Sequence, residues 1–279
     1  MKPIRSGEVT IATESFGDPA DPPVVLVMGA TASMLGWPEP FCMALSHRDR
    51  FVIRYDHRDT GQSTTVAPGA ADYAVEDMVA DLFAVLDGYG LAAAHLVGMS
   101  LGGYIAQMAA LTDPDRVLSL TLLASEPLGW DGEPLPHIAP AFLDHFAGFA
   151  TLDWSNRDAV AAFLLEIDRL SAGSAYPFDG AAASERIGAV IDRAGNLPAM
   201  FNHGTVATRE DWTGRFRDIR QPVLVVHGAE DPILPPDNGR ALAEGIAIAR
   251  LLLMPGLGHE LPAQVLPSLV ELIATHTRR

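Results

Sequence analysis

The sequence predicts an α/β fold in which a mostly parallel sheet is covered by helices and carries a helical insertion late in its order. Three observations predict it. Short apolar and β-branched runs alternate with helical patterns; the turn Gly98-Met99-Ser100-Leu101-Gly102 joins one such run to one such helix; and strand signals vanish between Glu126 and Arg217, where amphipathic patterns take over. With no internal repeat and no long linker, the 279 residues form one domain with an insertion.

The strands are expected at residues 24–28, 51–55, 94–98, 118–124, 223–227 and 249–254, with an antiparallel first strand over 8–13. Val75, Met78, Val79, Leu82 and Leu86 share one face of a helix. A second helix runs over 101–111 and stops before Asp113-Pro114, and the last occupies 263–275. Within the insertion Phe142, Phe146 and Phe149 repeat at helical spacing, as do Phe163, Ile167 and Leu170. Helices inserted between two buried strands read as a cap over the strand ends. The division is 1–126 and 218–279 for the core and 127–217 for the cap.

Composition excludes several classes. The chain is 48% hydrophobic and 19% charged, yet no apolar run approaches the roughly 20 residues of a membrane helix. The first residues lack the apolar stretch of a secretory signal, and the lone Cys42 has no partner for an intrachain disulfide, so the cytoplasm is expected. A formal net charge of −16 repels phosphate backbones and anionic headgroups, which argues against nucleic-acid and membrane partners. Oligomeric state is not readable.

The chemistry begins at Ser100. A Gly-x-Ser-x-Gly after a strand and before a helix is a nucleophile elbow: flanking glycines remove the Cβ atoms that would collide, and the hydroxyl stands exposed above the sheet. Serine is a poor nucleophile without a base. His259, in the loop Pro255-Gly256-Leu257-Gly258-His259 after the last strand, is placed to reach it. His95 and His227 sit in strands as core histidines, and His203 falls in the cap, where a solvated or capping role is expected ahead of a contact with substrate. Asp231 follows a strand end and is the first choice of orienting acid, with Glu126, after the preceding strand, as its rival. The oxyanion donors are expected to be the backbone N–H groups of Leu101 and Ala30.

The run Asp56-His57-Arg58-Asp59-Thr60-Gly61-Gln62-Ser63 is dense in charge. No His/Cys cluster or HExxH spacing gives it a metal reading, so Asp56, Arg58 and Asp59 are expected to satisfy one another and brace the elbow, with His57 in that network. No metal and no cofactor is called for. Met99, Phe142, Phe146, Trp154, Tyr176, Met200 and Phe201 are candidates to line a pocket for a hydrophobic or aromatic acyl group.

Taken together, the turn after the first parallel strand, the Asp-x-Arg-x-x-Gly-x-Ser loop, the elbow, the post-strand Asp and the Gly-His loop resemble the α/β-hydrolase superfamily. Within it, Gly17-Asp18-Pro19-Ala20-Asp21-Pro22, Leu35-Gly36-Trp37-Pro38, Ile53-Arg54-Tyr55-Asp56-His57-Arg58-Asp59-Thr60-Gly61, Glu230-Asp231-Pro232-Ile233 and the Gly258-His259 loop are similar to anthracycline-tailoring methylesterases of the aclacinomycin type. That resemblance implies a mostly parallel eight-stranded sheet flanked by helices, with the cap after strand 6. It also implies a triad at Ser100, Asp231 and His259, oxyanion positions at Ala30 and Leu101, and a small-molecule ester substrate. Ala30 is larger than the glycine those enzymes carry there. General carboxylesterase activity, cofactor-free perhydrolase or haloperoxidase activity and a non-catalytic ligand receptor are the other readings; a dehalogenase would need Asp in place of Ser100.

Overall fold

The structure, a computed structural model, describes residues 1–278. Eight strands form one sheet: β1 (Lys2–Ser6), β2 (Val9–Phe16), β3 (Pro23–Val27), β4 (Phe51–Tyr55), β5 (Ala94–Met99), β6 (Val117–Leu123), β7 (Val223–Gly228) and β8 (Ala249–Met254). Their spatial order is β1-β2-β4-β3-β5-β6-β7-β8. The β1–β2 and β2–β4 pairings are antiparallel; all those from β4 to β8 are parallel.

The central strands are buried on both faces, which is why they read as continuous apolar runs. Val25 and Val27 point into a core layer shared with α2 (Val75–Gly88), α3 (Leu101–Thr112) and α7 (Asp237–Gly245). Val24 and Leu26 point the other way, onto α1 (Glu39–Ser46) and α8 (Leu266–His276). Cys42 is a free thiol buried in that second layer, where desolvation raises its pKa to about 12.

Two elements differ from expectation. The chain opens with a hairpin rather than one strand, because Lys2–Ser6 pairs at the sheet edge with only Ile4 buried, too little apolar surface to register as a strand. The last helix starts at Leu266, not Ala263; Pro267 in its first turn suits a helix start, where a missing N–H leaves no bond unmade.

Between β6 and β7 lie α4 (Pro140–Phe146), α5 (Arg157–Ser171) and α6 (Gly180–Arg193), with 3-10 segments at Ala147–Thr151, Leu197–Thr205 and Arg215–Asp218. Asn156 and Asp179 cap α5 and α6 through side-chain bonds to the N–H groups of Ala159 and Ala182. These helices enclose their own apolar cluster, built on Phe163, Leu164, Ile187 and Met200. The ends of the inserted segment pack elsewhere: Leu128, Trp212 and Phe216 join the α2–α3 layer beneath the sheet. Among the described residues no helix is long and apolar enough to cross a membrane.

Candidate active site

Ser100 is the single residue between β5 and α3, with φ 52° and ψ −121°. A non-glycine residue holds such a conformation only where its surroundings over-determine it. Here its N–H donates to the Leu123 carbonyl at 2.9 Å, and its own carbonyl accepts from Ser125 Oγ at 2.9 Å and from the Gly103 N–H at 2.9 Å. The glycines are sterically required. A Cβ at Gly98 would stand 2.3 Å from the Gly102 carbonyl oxygen, and one at Gly102 would stand 2.0 Å from that of Val27.

Two backbone segments flank the serine. Leu101 opens α3, so its N–H has no acceptor within the helix. Opposite it, loop 28–31 follows β3 so closely over the elbow that a Cβ at Gly29 would lie 3.3 Å from the Ser100 Cβ and 3.9 Å from its Oγ. Ala30 and Ser100 line the same cavity.

His259 reaches that cavity from the loop after β8. Its backbone N–H donates to Ser171 O at 2.8 Å, and its Nδ1 lies 2.7 Å from Asp231 Oδ2. The Asp231 carboxylate is fully buried, and its Oδ1 accepts the N–H groups of Ile233 at 2.9 Å and Leu234 at 2.8 Å. An ionised carboxylate only accepts, so Nδ1 carries the proton and Nε2 keeps its lone pair. Behind Asp231, His227 donates from Nε2 to the Leu234 carbonyl at 2.7 Å; burial lowers its pKa and keeps it neutral. Glu126 stands apart from this group and pairs with His137 at 3.3 Å, while Glu230 accepts from Ser174.

The 56–63 loop differs from expectation. Its charges do not satisfy one another but reach to other elements. Arg58 forks onto Asp81 of α2 at 2.7 and 2.8 Å. Asp56, fully buried, takes Arg193 of α6 at 2.7 Å and the Met34 N–H at 2.8 Å. Asp59 accepts from Tyr73 Oη at 2.7 Å and Asn202 Nδ2 at 2.8 Å. His57 donates from Nε2 to Met28 O at 2.8 Å, and burial drives its pKa down to about 3. His203 is not a solvated side chain: it is buried and bonded at both ring nitrogens.

The cavity above Ser100 measures about 1420 Å³. Of the candidate lining residues, Met99, Phe142, Phe146, Met200 and Phe201 stand on its wall. Trp154 and Tyr176 do not. Trp154 packs behind the wall against Phe149 and Phe201, at ring centroid distances of 5.4 and 5.7 Å, and Tyr176 packs against the α1–α8 layer. Phe149 takes a wall position instead, a residue whose spacing after Phe142 and Phe146 already signalled the same face. On the cavity wall Arg186 pairs with Asp168 at 2.5 Å, which joins α6 to α5 and has no signature in either helix alone.

The alpha/beta hydrolase fold family matches residues 22–263. The chain is 35% identical over 289 residues to the rhodomycin D methylesterase DnrP of Streptomyces peucetius, covering 99% of this chain and 97% of that one. It is 34% identical to the rhodomycin D methylesterase DauP of Streptomyces sp. strain C5, with the same coverage. Among solved structures, the 2-hydroxy-6-oxo-6-phenylhexa-2,4-dienoate hydrolase of Rhodococcus sp. strain RHA1 superposes with a TM-score of 0.78 at 20% identity, covering 100% of this chain and 98% of that one; at that identity the likeness is one of fold. With the matched family spanning most of the sequence and two full-length methylesterase relatives beside it, the chain belongs to the alpha/beta hydrolase fold family.

Proposed function

We propose that this protein is a serine esterase that removes the methyl group from a carboxylic methyl ester on a bulky aromatic polyketide, through an acyl-enzyme on Ser100. The reading rests on one observation above the others: the Asp231–His259 pair opens onto the same cavity wall as Ser100, with Nδ1 held protonated and Nε2 left free to take a proton. The aromatic lining of Phe142, Phe146, Phe149 and Phe201 suits a flat acyl group, and the two relatives act on a methyl ester of that kind by their names.

In this mechanism Ser100 Oγ attacks the ester carbonyl carbon as Nε2 of His259 takes its proton. Asp231 stabilises the imidazolium, and the N–H groups of Ala30 and Leu101 hold the oxyanion. Collapse breaks the carbon–oxygen bond to the leaving methanol, which His259 protonates. Water then gives its proton to His259 and attacks the acyl carbon, releasing the acid and restoring Ser100. No cofactor enters. Segment 127–217 acts as the cap that shapes the acyl site, with α4 to α6 over the cavity.

The test compares kcat/KM for a carbomethoxylated anthracycline with that for p-nitrophenyl butyrate, using Ser100→Ala as the blank. A strong preference for the polyketide ester is expected. Fast cleavage of the small ester alone makes the protein a general carboxylesterase, and turnover of neither above the blank removes the esterase reading.

A further inference from the structure

Loop 28–31 lies beyond the sheet ladder, since β3 pairs with β5 only as far as Val27 and Gly98. Its geometry is fixed from outside by two buried imidazoles. His57 donates from Nε2 to the Met28 carbonyl at 2.8 Å. His203, from the 3-10 segment Leu197–Thr205, accepts the Thr31 N–H on Nδ1 at 3.1 Å and donates from Nε2 to the Arg58 carbonyl at 2.8 Å. A backbone amide can only donate, which fixes the tautomer of His203. The two rings meet edge to face, 5.8 Å between centroids and 85° between planes. Thr31 itself holds φ 61°, a strained value for a β-branched residue that persists only where a partner holds it.

The consequence follows peptide plane by peptide plane. Met28 O belongs to the 28–29 plane and Thr31 N–H to the 30–31 plane, and each is pinned by one histidine. The plane between them carries the Ala30 N–H. With both neighbours held, the two ends of that plane stay in place and it can turn only about the line joining them; a flip would drive Ala30, which is not among the positive-φ residues, into the left-handed region at a steric cost, so its N–H keeps one direction.

We propose that His203 is a positioning residue for acyl transfer: by accepting the Thr31 N–H it fixes the direction of the Ala30 oxyanion donor, and so couples the inserted helical segment to the catalytic centre. This rests on the esterase reading of Ser100. It does not line the cavity, and the bond that carries this role is the one to Thr31.

Two substitutions separate this role from a merely structural one. In His203→Asn the amide oxygen replaces Nδ1 and the bond to Thr31 survives, while the bond to Arg58 is lost. His203→Gln puts an amide nitrogen near the place of Nε2, keeping the Arg58 bond and losing the acceptor. Steady-state kinetics on the preferred ester and hydrogen exchange at the Thr31 amide are measured for both. The expected result is that His203→Asn keeps kcat within about threefold with a protected Thr31 amide. His203→Gln should lose roughly 10–100-fold in kcat at nearly unchanged KM, a fraction of what deleting an oxyanion donor costs, with the Thr31 amide exchanging fast. Equal loss in both variants, loss expressed in KM alone, or a Gln variant with full kcat and an exposed Thr31 amide overturns the proposal. If the Gln variant does not fold, the Asn variant decides: a kcat far below wild type with an intact Thr31 bond overturns it. Absence of ester turnover by the wild type overturns the esterase reading first, whereas a normal wild type with equally slow variants overturns the role of His203 alone.

Discussion

Exchanging Asp231 for Asn tests the acid–histidine pair while leaving its shape intact. The two N–H groups on Oδ1, from Ile233 and Leu234 at 2.9 and 2.8 Å, must still meet an oxygen, so the new amide places its oxygen there and its NH2 where Oδ2 stood. That NH2 faces His259 Nδ1, 2.7 Å from the former Oδ2. Nδ1 must then accept, the ring proton moves to Nε2, and the atom meant to deprotonate Ser100 has no lone pair. Wrong-tautomer variants of this kind lose about 10⁴ in kcat, roughly 5.5 kcal/mol of transition-state stabilisation. Stability should fall far less, by about 1–3 kcal/mol for one buried charge-assisted bond. The assay is kcat on the preferred ester, with urea denaturation alongside. Asp231→Asn within about tenfold of wild type, with Glu126→Gln inactive, would refute the assignment of the acid.

Three further outcomes are expected. Gly102→Ala drives a Cβ to 2.0 Å from the Val27 carbonyl oxygen and should abolish soluble folded protein or activity, whereas Gly148→Ala, with nothing within 4 Å, should be silent in thermal melts. Phe149→Ala removes a cavity-wall ring and should raise KM for an aromatic ester about tenfold, near 1.4 kcal/mol; Trp154→Phe, behind the wall, should leave KM within about twofold, and the reverse ranking would contradict the cavity assignment. Burial lowers the pKa of His57 to about 3 and of His95 to about 4, so between those values and about 6.5 the unfolded chain binds protons that the folded one does not. Stability from these groups is complete above about pH 6.5 and is lost as pH falls through that window, by up to about 1.4 kcal/mol per pH unit for each histidine. His95→Gln should therefore gain on wild type by that slope in urea denaturation between about pH 6 and pH 4, and a difference independent of pH would sink the account.

The features legible in the sequence are those whose physics is local. Gly98 and Gly102 announce the turn at Ser100 because a Cβ at either collides with neighbouring backbone, and double-sided burial makes residues 24–27 read as a strand. Asp231 and His259 were visible because each follows a parallel strand, where side chains reach the open edge of the sheet. What escaped depends on elements distant in the chain. Arg58 finds Asp81, Asp56 finds Arg193, and His203 finds Thr31 across 172 positions; no local pattern names such partners. The lining was partly legible for the same reason. Helical spacing groups Phe142, Phe146 and Phe149, but which side of the inserted helical segment Trp154 faces is settled by tertiary packing.

The most direct test of the central claim is to trap the acyl-enzyme. Wild-type protein is mixed with an aromatic polyketide methyl ester, quenched in acid within milliseconds, digested and read by mass spectrometry. The account predicts the acyl group, less methanol, on the peptide containing Ser100, accumulating further in Asp231→Asn if deacylation slows more than acylation and absent in Ser100→Ala. An adduct on another residue, or turnover of the ester by Ser100→Ala at the wild-type rate, would contradict it.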